Sequence, residues 1–405
     1  MTKKEFINGC PIVDEKSTLQ VNLTNDNEIS EILEEQKDID TKLEINHEAI
    51  NLLIEYNSKI DTLSKEDVCY LMGKLGYSNK QIKLSKEYYE DDTPNGGDEW
   101  KEAVRMFKNL TEDVFDGSVS LLKKSFLNIN KLSSKMLAMF TDRQDNLIKL
   151  KLDMDKIGSL DIIINEKTTD FVRENFFAFL YFNNGVISIS DILDFGNNER
   201  LIADVMKALD NVCKFRKDLP TVGDMVSELT SNINAHGKFQ PSMLARIEKE
   251  FDNPIMVTSV NKNVLTFFHI EEKEHGFNPE IGTLTLPKSN MGVGFKEIND
   301  KAKVARAIKE LINKSNGFKS YVNTIEHINK DAADSVNQME KSIKNAIDIE
   351  DKNERRQKEK TLDLTLQSLK LIGTRIITSC INNYYTNLNN CIRIIELLLN
   401  SSMKK

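Results

Sequence analysis

Between Asp98 and Ile157, apolar residues recur in alternating steps of three and four. Ile129, Leu132, Met136 and Met139 come first; after a polar step at Arg143 and Asn146 the stripe resumes with Leu147, Leu150, Met154 and Ile157. This spacing lines one face of a helix and leaves the intervening Lys, Asn, Ser and Asp to water. No proline interrupts the segment and Gly117 is its only internal glycine. The pattern therefore predicts one helix, with any bend near Asp116–Gly117. At ~1.5 Å per residue it is roughly 87 Å long, so it needs other long helices beside it.

Residues 1 to about 25 are polar and aperiodic and read as a loosely held arm. Asp26 is placed to cap a helix running to about Ile60, with Ile29, Ile32, Leu33, Ile39, Leu43, Ala49, Ile50, Leu53 and Ile54 on its apolar face. Ser64 followed by Asp67 predicts a capping box for a short helix, Glu66 to Lys74, ended by Gly73 and Gly76. A second short helix is expected over Tyr77–Tyr89. Glu90 to Asp98, with its acidic run, Pro94, Gly96 and Gly97, carries the strongest linker signal and sets a boundary.

Beyond Gly158 the period changes. Ile162–Ile164 is either a short buried strand or the apolar start of a module. Helices are predicted over Asp170–Asn183, rich in Phe, and over Ser190–Phe195, Glu199–Lys214, Pro220–Asn234 and Pro241–Phe251. Ile255–Val260 and Val264–Ile270, rich in β-branched and aromatic residues and separated by Asn261-Lys262-Asn263, read as a hairpin, and Ile281–Leu286 adds a third strand. Pro287 and Gly292–Gly294 close that module. Helical patterning returns over Phe295–Asn313, is broken by Gly317, and resumes over Phe318–Ile347. Asp348–Asn353 is either a tight turn or a continuous passage. The last helix runs from about Arg355 to Ser401 on Leu362, Leu366, Leu369, Ile372, Ile376, Cys380, Leu388, Cys391, Ile395 and Leu398, with Asn383 and Asn387 setting its register. The fold expected is mainly α: an elongated long-helix hairpin or coiled-coil bundle with a small α+β module containing a β-hairpin. Its parts are an acidic helical region over 1–95, the long helix over 96–160, the module over 161–294, and C-terminal helices over 295–405 packing on the long helix.

Composition narrows the function classes. The 405 residues are 40% hydrophobic and 29% charged, which supports a buried core. A formal net charge of -8 argues against broad nucleic-acid binding, and the mixed-sign run Lys352–Lys360 reads as solvated surface. Cys10, Cys69, Cys213, Cys380 and Cys391 form no CxxC pair, which suggests a reducing compartment. The N-terminus lacks the apolar core of a signal peptide, and no run is long and apolar enough for a transmembrane helix.

Candidate chemistry is sparse. No phosphate loop, GxGxxG, GxSxG, HExxH, EF-hand or kinase signature occurs. No catalytic residues, metal ligands or cofactors are assigned. His269 and His275 with Glu271, Glu272 and Glu274 have zinc-ligand chemistry, but a strand end followed by a charged loop is the simpler account. His47, His236 and His327 read as ordinary surface or satisfied residues, and Met291–Gly294 as a strand-to-helix turn. Gly97-Asp98-Glu99 places a small residue two before a glutamate in the linker, where a proteolytic cut would release the acidic N-terminal piece; an uncut linker is the simpler alternative.

The Asp98–Lys124 passage after the acidic linker, and Val264–Ile270 with Ile281–Pro287 leading into Phe295–Asn313, resemble the internal head proteins of large tailed bacteriophages. That resemblance implies a non-enzymatic virion protein, made in the host cytoplasm and held in the phage head, with processing at Gly97, Asp98 and Glu99 and ejection with DNA as possible steps. It implies protein partners, self or other virion proteins, engaged through helical seams formed by Ile129, Leu132, Met136, Met139, Leu147, Leu150, Met154, Leu369, Ile376 and Ile395. A second resemblance is to α-helical pore-forming toxins with a β-hairpin tongue, which would be cytoplasmic or secreted without a signal peptide and would contact membranes. A coiled-coil scaffold or adaptor is the third reading.

Overall fold

The computed structural model describes residues 15–91, 99–182, 184–195, 254–261, 264–273, 276–286 and 292–402. These are mainly helical, with long helices packed against one another. The predicted helices over 199–214, 220–234 and 241–251 lie outside them.

Four long elements build the bundle. Helix α1 spans Glu15–Asn57, so Asp26 lies inside it and is not its cap. No proline or glycine occurs between Pro11 and Asn57, so nothing in the chain stops the helix from starting earlier. A 3₁₀ turn, Ile60–Thr62, leads to α2, Lys65–Lys74. Ser64 and Asp67 cap α2 reciprocally, side chain to backbone in both directions. Helix α3 covers Asn79–Asp91, with Ser78 and Gln81 exchanging the same pair of bonds at its start.

Helix α4 runs unbroken over Glu99–Asp155, through Gly117, a length of about 86 Å. Helices α5, Glu166–Asn175, and α6, Phe177–Phe182, replace the single helix expected over 170–183. Asn165 caps α5 through Thr168, and residues 160–165 before it have no regular structure. Helix α7 is Ile189–Phe195, and α8 is Lys301–Ile347. Two expectations fail at α8: it starts at Lys301, capped by Asp300, and Gly317 does not break it. An interior glycine costs only about 1 kcal/mol relative to alanine. Buried Ser315, Phe318 and Val322 on either side hold the helix through it. A tight turn with Asp351 as cap leads into α9, Lys352–Lys370. The chain then passes through a π-helical segment, Leu371–Ile377, into α10, Thr378–Ser402.

Cross-contacts give the directions. Glu28 meets Lys135 and Asn46 meets Ser118, so α1 is antiparallel to α4. Glu340 meets Lys123 and Asn316 meets Gln144, so α8 is antiparallel to α4 as well. Gly373 lies beside Ser125 and Tyr385 donates to the Met139 sulfur, so α9–α10 runs parallel to α4. The result is an up-down bundle of α1, α4, α8 and α9–α10. Beyond the reach of α1, the helices α5 and α7 and strand β2 take its place against α10. That substitution encloses α10: of its residues 378–400, Asn400 alone is exposed.

Two small sheets complete the fold. Strand β1, Val186–Ser188, pairs in parallel with β5, Gly294–Lys296, where the pattern predicted the start of a helix. Gly185 has φ +78°, and a Cβ there would lie 2.5 Å from the Gly292 carbonyl oxygen, so only glycine fits this contact. The second sheet is antiparallel in the order β2, Pro254–Asn261; β3, Val264–Lys273; β4, Gly276–Thr285. It contains the predicted hairpin, paired Asn261 to Val264, and its third strand begins earlier than Ile281, pairing Gly276 with Lys273.

Candidate functional site: the apolar and polar seams

The apolar stripe is used inside the chain. Ile129, Leu132, Met136, Met139, Leu147 and Met154 of α4 are buried, Leu150 is half-buried, and Leu369, Ile376 and Ile395 are buried in α9, the π segment and α10. All belong to one core shared by α1, α4, α8, α9 and α10. At its centre Phe140 meets Phe318 edge-on at 4.9 Å, and Phe318 stacks on Tyr384 at 5.4 Å. The Tyr384 hydroxyl donates to the Lys314 carbonyl at 3.0 Å. A seam this filled has no room for a second coiled-coil strand, so any partner must dock on other surfaces.

A polar seam runs beside it, where α1 faces α9 and the π segment, in three layers. In the first, Asn57 bridges two buried ionisable side chains: Arg355 donates to its Oδ1 from Nε (3.1 Å) and Nη2 (2.6 Å), and its Nδ2 donates to Glu359 Oε2 (2.9 Å). Burial pushes the Glu359 carboxyl up to about 7, against the Asn57 hydrogen bond and the attraction of Arg355. Burial also lowers the Arg355 pKa. In the second layer His47 Nδ1 lies 2.8 Å from Asp363 Oδ1 and its Nε2 lies 3.1 Å from Asn51 Nδ2. Because the Asn51 amide nitrogen can only donate, Nδ1 carries the proton shared with Asp363. In the third, the Asp40 carboxylate accepts from Thr374 (2.6 Å) and Arg375 (3.2 Å), while buried Lys370 reaches Glu44 at 3.2 Å. Burial lowers the Lys370 pKa, opposed by Asp40.

The run 352–360 is exposed as expected except at Arg355 and Glu359, which are buried. The signal was present: 355, 359, 362, 366 and 369 fall on one helical face, so the apolar stripe continues upstream through a charged pair. The π segment had a weaker mark in Gly373. A Cβ there would approach the Phe126 ring at 3.2 Å, so the close approach to α4 favours glycine.

Polar groups also lie inside the bundle. Arg143 is 3.6 Å from Glu396, both nearly enclosed, and Asn387 donates to Asn383 at 2.8 Å within α10. The thiols of Cys380 and Cys391 are pushed up to about 12 by burial, so neither is a nucleophile at neutral pH.

Other sequence candidates are not brought together. Gly97 and Asp98 lie outside the described residues, and Glu99 opens α4. His269 sits in β3, paired with Pro254 and Glu280, and that strand extends through Glu271 and Glu272, where a charged loop was expected; Glu274, His275 and His236 lie outside the described residues. Among the described residues no group of three or more His, Cys, Asp or Glu is placed to hold a metal, and no helix is long and apolar enough to cross a membrane. No protein family, curated protein or solved structure matches the chain.

Proposed function

We propose that this chain is a non-enzymatic structural protein, a self-contained helical rod of the kind packed inside or assembled into a virion. The observation that carries the reading is the use of the long apolar stripe: α4, about 86 Å long, is covered along its length by helices of the same chain. Buried polar layers, of the kind that specify one register among competing packings, accompany that core. The virion assignment itself rests on the resemblance to phage internal head proteins. Processing at Gly97-Asp98-Glu99 belongs to the same proposal, in modified form. The N-terminal piece is packed on α4 by Ile39, Leu43, Ile50 and Leu53, so a cut there leaves it bound instead of releasing it.

A second reading, a membrane-inserting protein, has one feature in its favour: the three-stranded sheet over 254–285 is a discrete β element beside a helical bundle. Small-angle scattering and light scattering on the purified chain, with and without lipid vesicles, separate the two. A rod of constant mass that ignores lipid is the expected outcome. Lipid-triggered oligomerisation with leakage of vesicle contents would overturn the structural reading.

A further inference from the structure

The side of α4 turned away from its buried stripe carries a second seven-residue pattern. Leu127, Ser134, Thr141 and Ile148 recur at every seventh residue, and a second line follows each by four residues, from Lys131 to Leu152. Both lines fall on one face of the helix, and every residue in them is exposed. Leu127 is 61% exposed, Ile148 42% and Leu152 56%. Single exposed apolar residues are ordinary, but three at heptad positions on one face form a seam that the bundle leaves uncovered. Between them lie Ser134, Ala138 and Thr141, small enough for a second helix to come close.

The charges on this face say what covers it. Lys123, Lys124 and Lys135 nearby are paired with Glu340, Glu35 and Glu28 of the same chain. Lys131 and Asp145, on the seam itself, make no ion pair among the described residues, and Lys131 acts on Glu35 only from a distance. The two lie on either side of the small residues, one positive and one negative. A second copy laid antiparallel, with the two-fold axis between Ala138 and Thr141, sets Leu127 against Leu152 at both ends. The same register packs Ala138 on Thr141, lays the Lys131 stem over Ile148 and brings each Lys131 within a turn of the other copy's Asp145. A parallel copy would instead set Lys131 on Lys131 and Asp145 on Asp145, which repel. The face is therefore complementary to itself under a two-fold axis, as an isologous contact requires.

We propose that this face of α4 is a homodimer interface, on which a second copy of the chain docks antiparallel through Leu127, Ile148 and Leu152, with Lys131 and Asp145 paired between copies. Such a dimer requires nothing of the virion assignment. Sedimentation equilibrium and small-angle X-ray scattering of the full chain over a concentration series test it. The mass is expected to rise from 46.3 kDa toward twice that value. A dissociation constant of roughly 1–100 μM fits one helix pair, which is smaller than a standard interface. In this register the two α4 helices span about 120 Å end to end, against about 86 Å for one, so the dimer scatters as a longer rod than the monomer. Leu127→Lys with Leu152→Lys changes only side chains that are exposed in the single chain, so the urea midpoint in dilute solution stays put, while dimerisation weakens about tenfold or more. Lys131→Asp alone is expected to weaken it about fivefold, and adding Asp145→Lys to restore it. A monomer mass throughout the series, or a dimer no longer than the monomer, would overturn the proposal. So would a dimer indifferent to the leucine changes or to Lys131→Asp, or a Lys131→Asp loss that Asp145→Lys does not restore.

Discussion

Glu359 makes the stability of the bundle depend on pH in a direction opposite to that of a salt-bridged surface acid. Its carboxyl is 2% exposed and its pKa stands at about 7, against 4.5 for the ordinary group. The native state therefore holds a proton that the unfolded chain has released, throughout the window between those values. Bound protons are more numerous in the native state there, so stability falls as pH rises from about 4.5 to about 7 and stays reduced above it. At 1.36 kcal/mol per unit, the full penalty is about 3 kcal/mol. Glu359→Gln removes the charge and keeps an acceptor for Asn57, at the risk of an amide NH₂ that must find its own partner. The variant is expected to be more stable than wild type by about 1–3 kcal/mol near pH 8, with the difference shrinking to near zero by about pH 4.5. Urea unfolding of both proteins across that range, taken as the difference at each pH, cancels the many surface carboxylates. A pH-independent difference, or a variant less stable at pH 8, would refute the assignment of Glu359 as a buried acid opposed by desolvation.

Two glycine replacements should move in opposite directions. At Gly317 an added Cβ meets nothing within 4 Å in mid-helix, so Gly317→Ala should stabilise by about 0.5–1 kcal/mol in urea melts. At Gly373 the same methyl presses on Ser125 at 3.1 Å and on the buried Phe126 ring, so Gly373→Ala should destabilise by about 1 kcal/mol despite its better helix propensity. Phe140→Ala empties the aromatic centre between α4, α8 and α10 and should cost about 3–5 kcal/mol by the same measurement. A protease site inserted between residues 92 and 98 and then cut should leave the two fragments co-eluting in size exclusion. Ile29, Ile39, Leu43, Ile50, Leu53 and Ile54 of α1 each contribute about 1.5–3 kcal/mol by burial. Separation of the fragments would show that α1 is held by the connection alone.

By itself the sequence determined most of the described helical segments and the faces they bury. A stripe such as Ile129–Met154 can face only a core, because burying one side of a helix is the chief source of its stability. The hairpin over 254–270 and the Ser64–Asp67 cap were legible for a similar reason: each is set by residues adjacent in the chain. What the tertiary structure decided lies where distant residues meet. Gly317 reads locally as a breaker, and only the neighbouring elements that bury Ser315 and Phe318 make it a passenger. Gly294–Lys296 has too little local pattern to announce a strand, and it becomes one by pairing with Val186–Ser188 across more than a hundred residues. Arg355 and Glu359 look like solvent-facing charges until Asn57 is brought between them. Whether the long stripes pair within or between chains was equally open, since a heptad seam suits both. The fold settles it for α4, because α1, α8 and α10 reach its seam from the same chain. A period along one helix specifies that a face must be covered; which residue covers it depends on loop lengths, chain direction and the packing of every other helix.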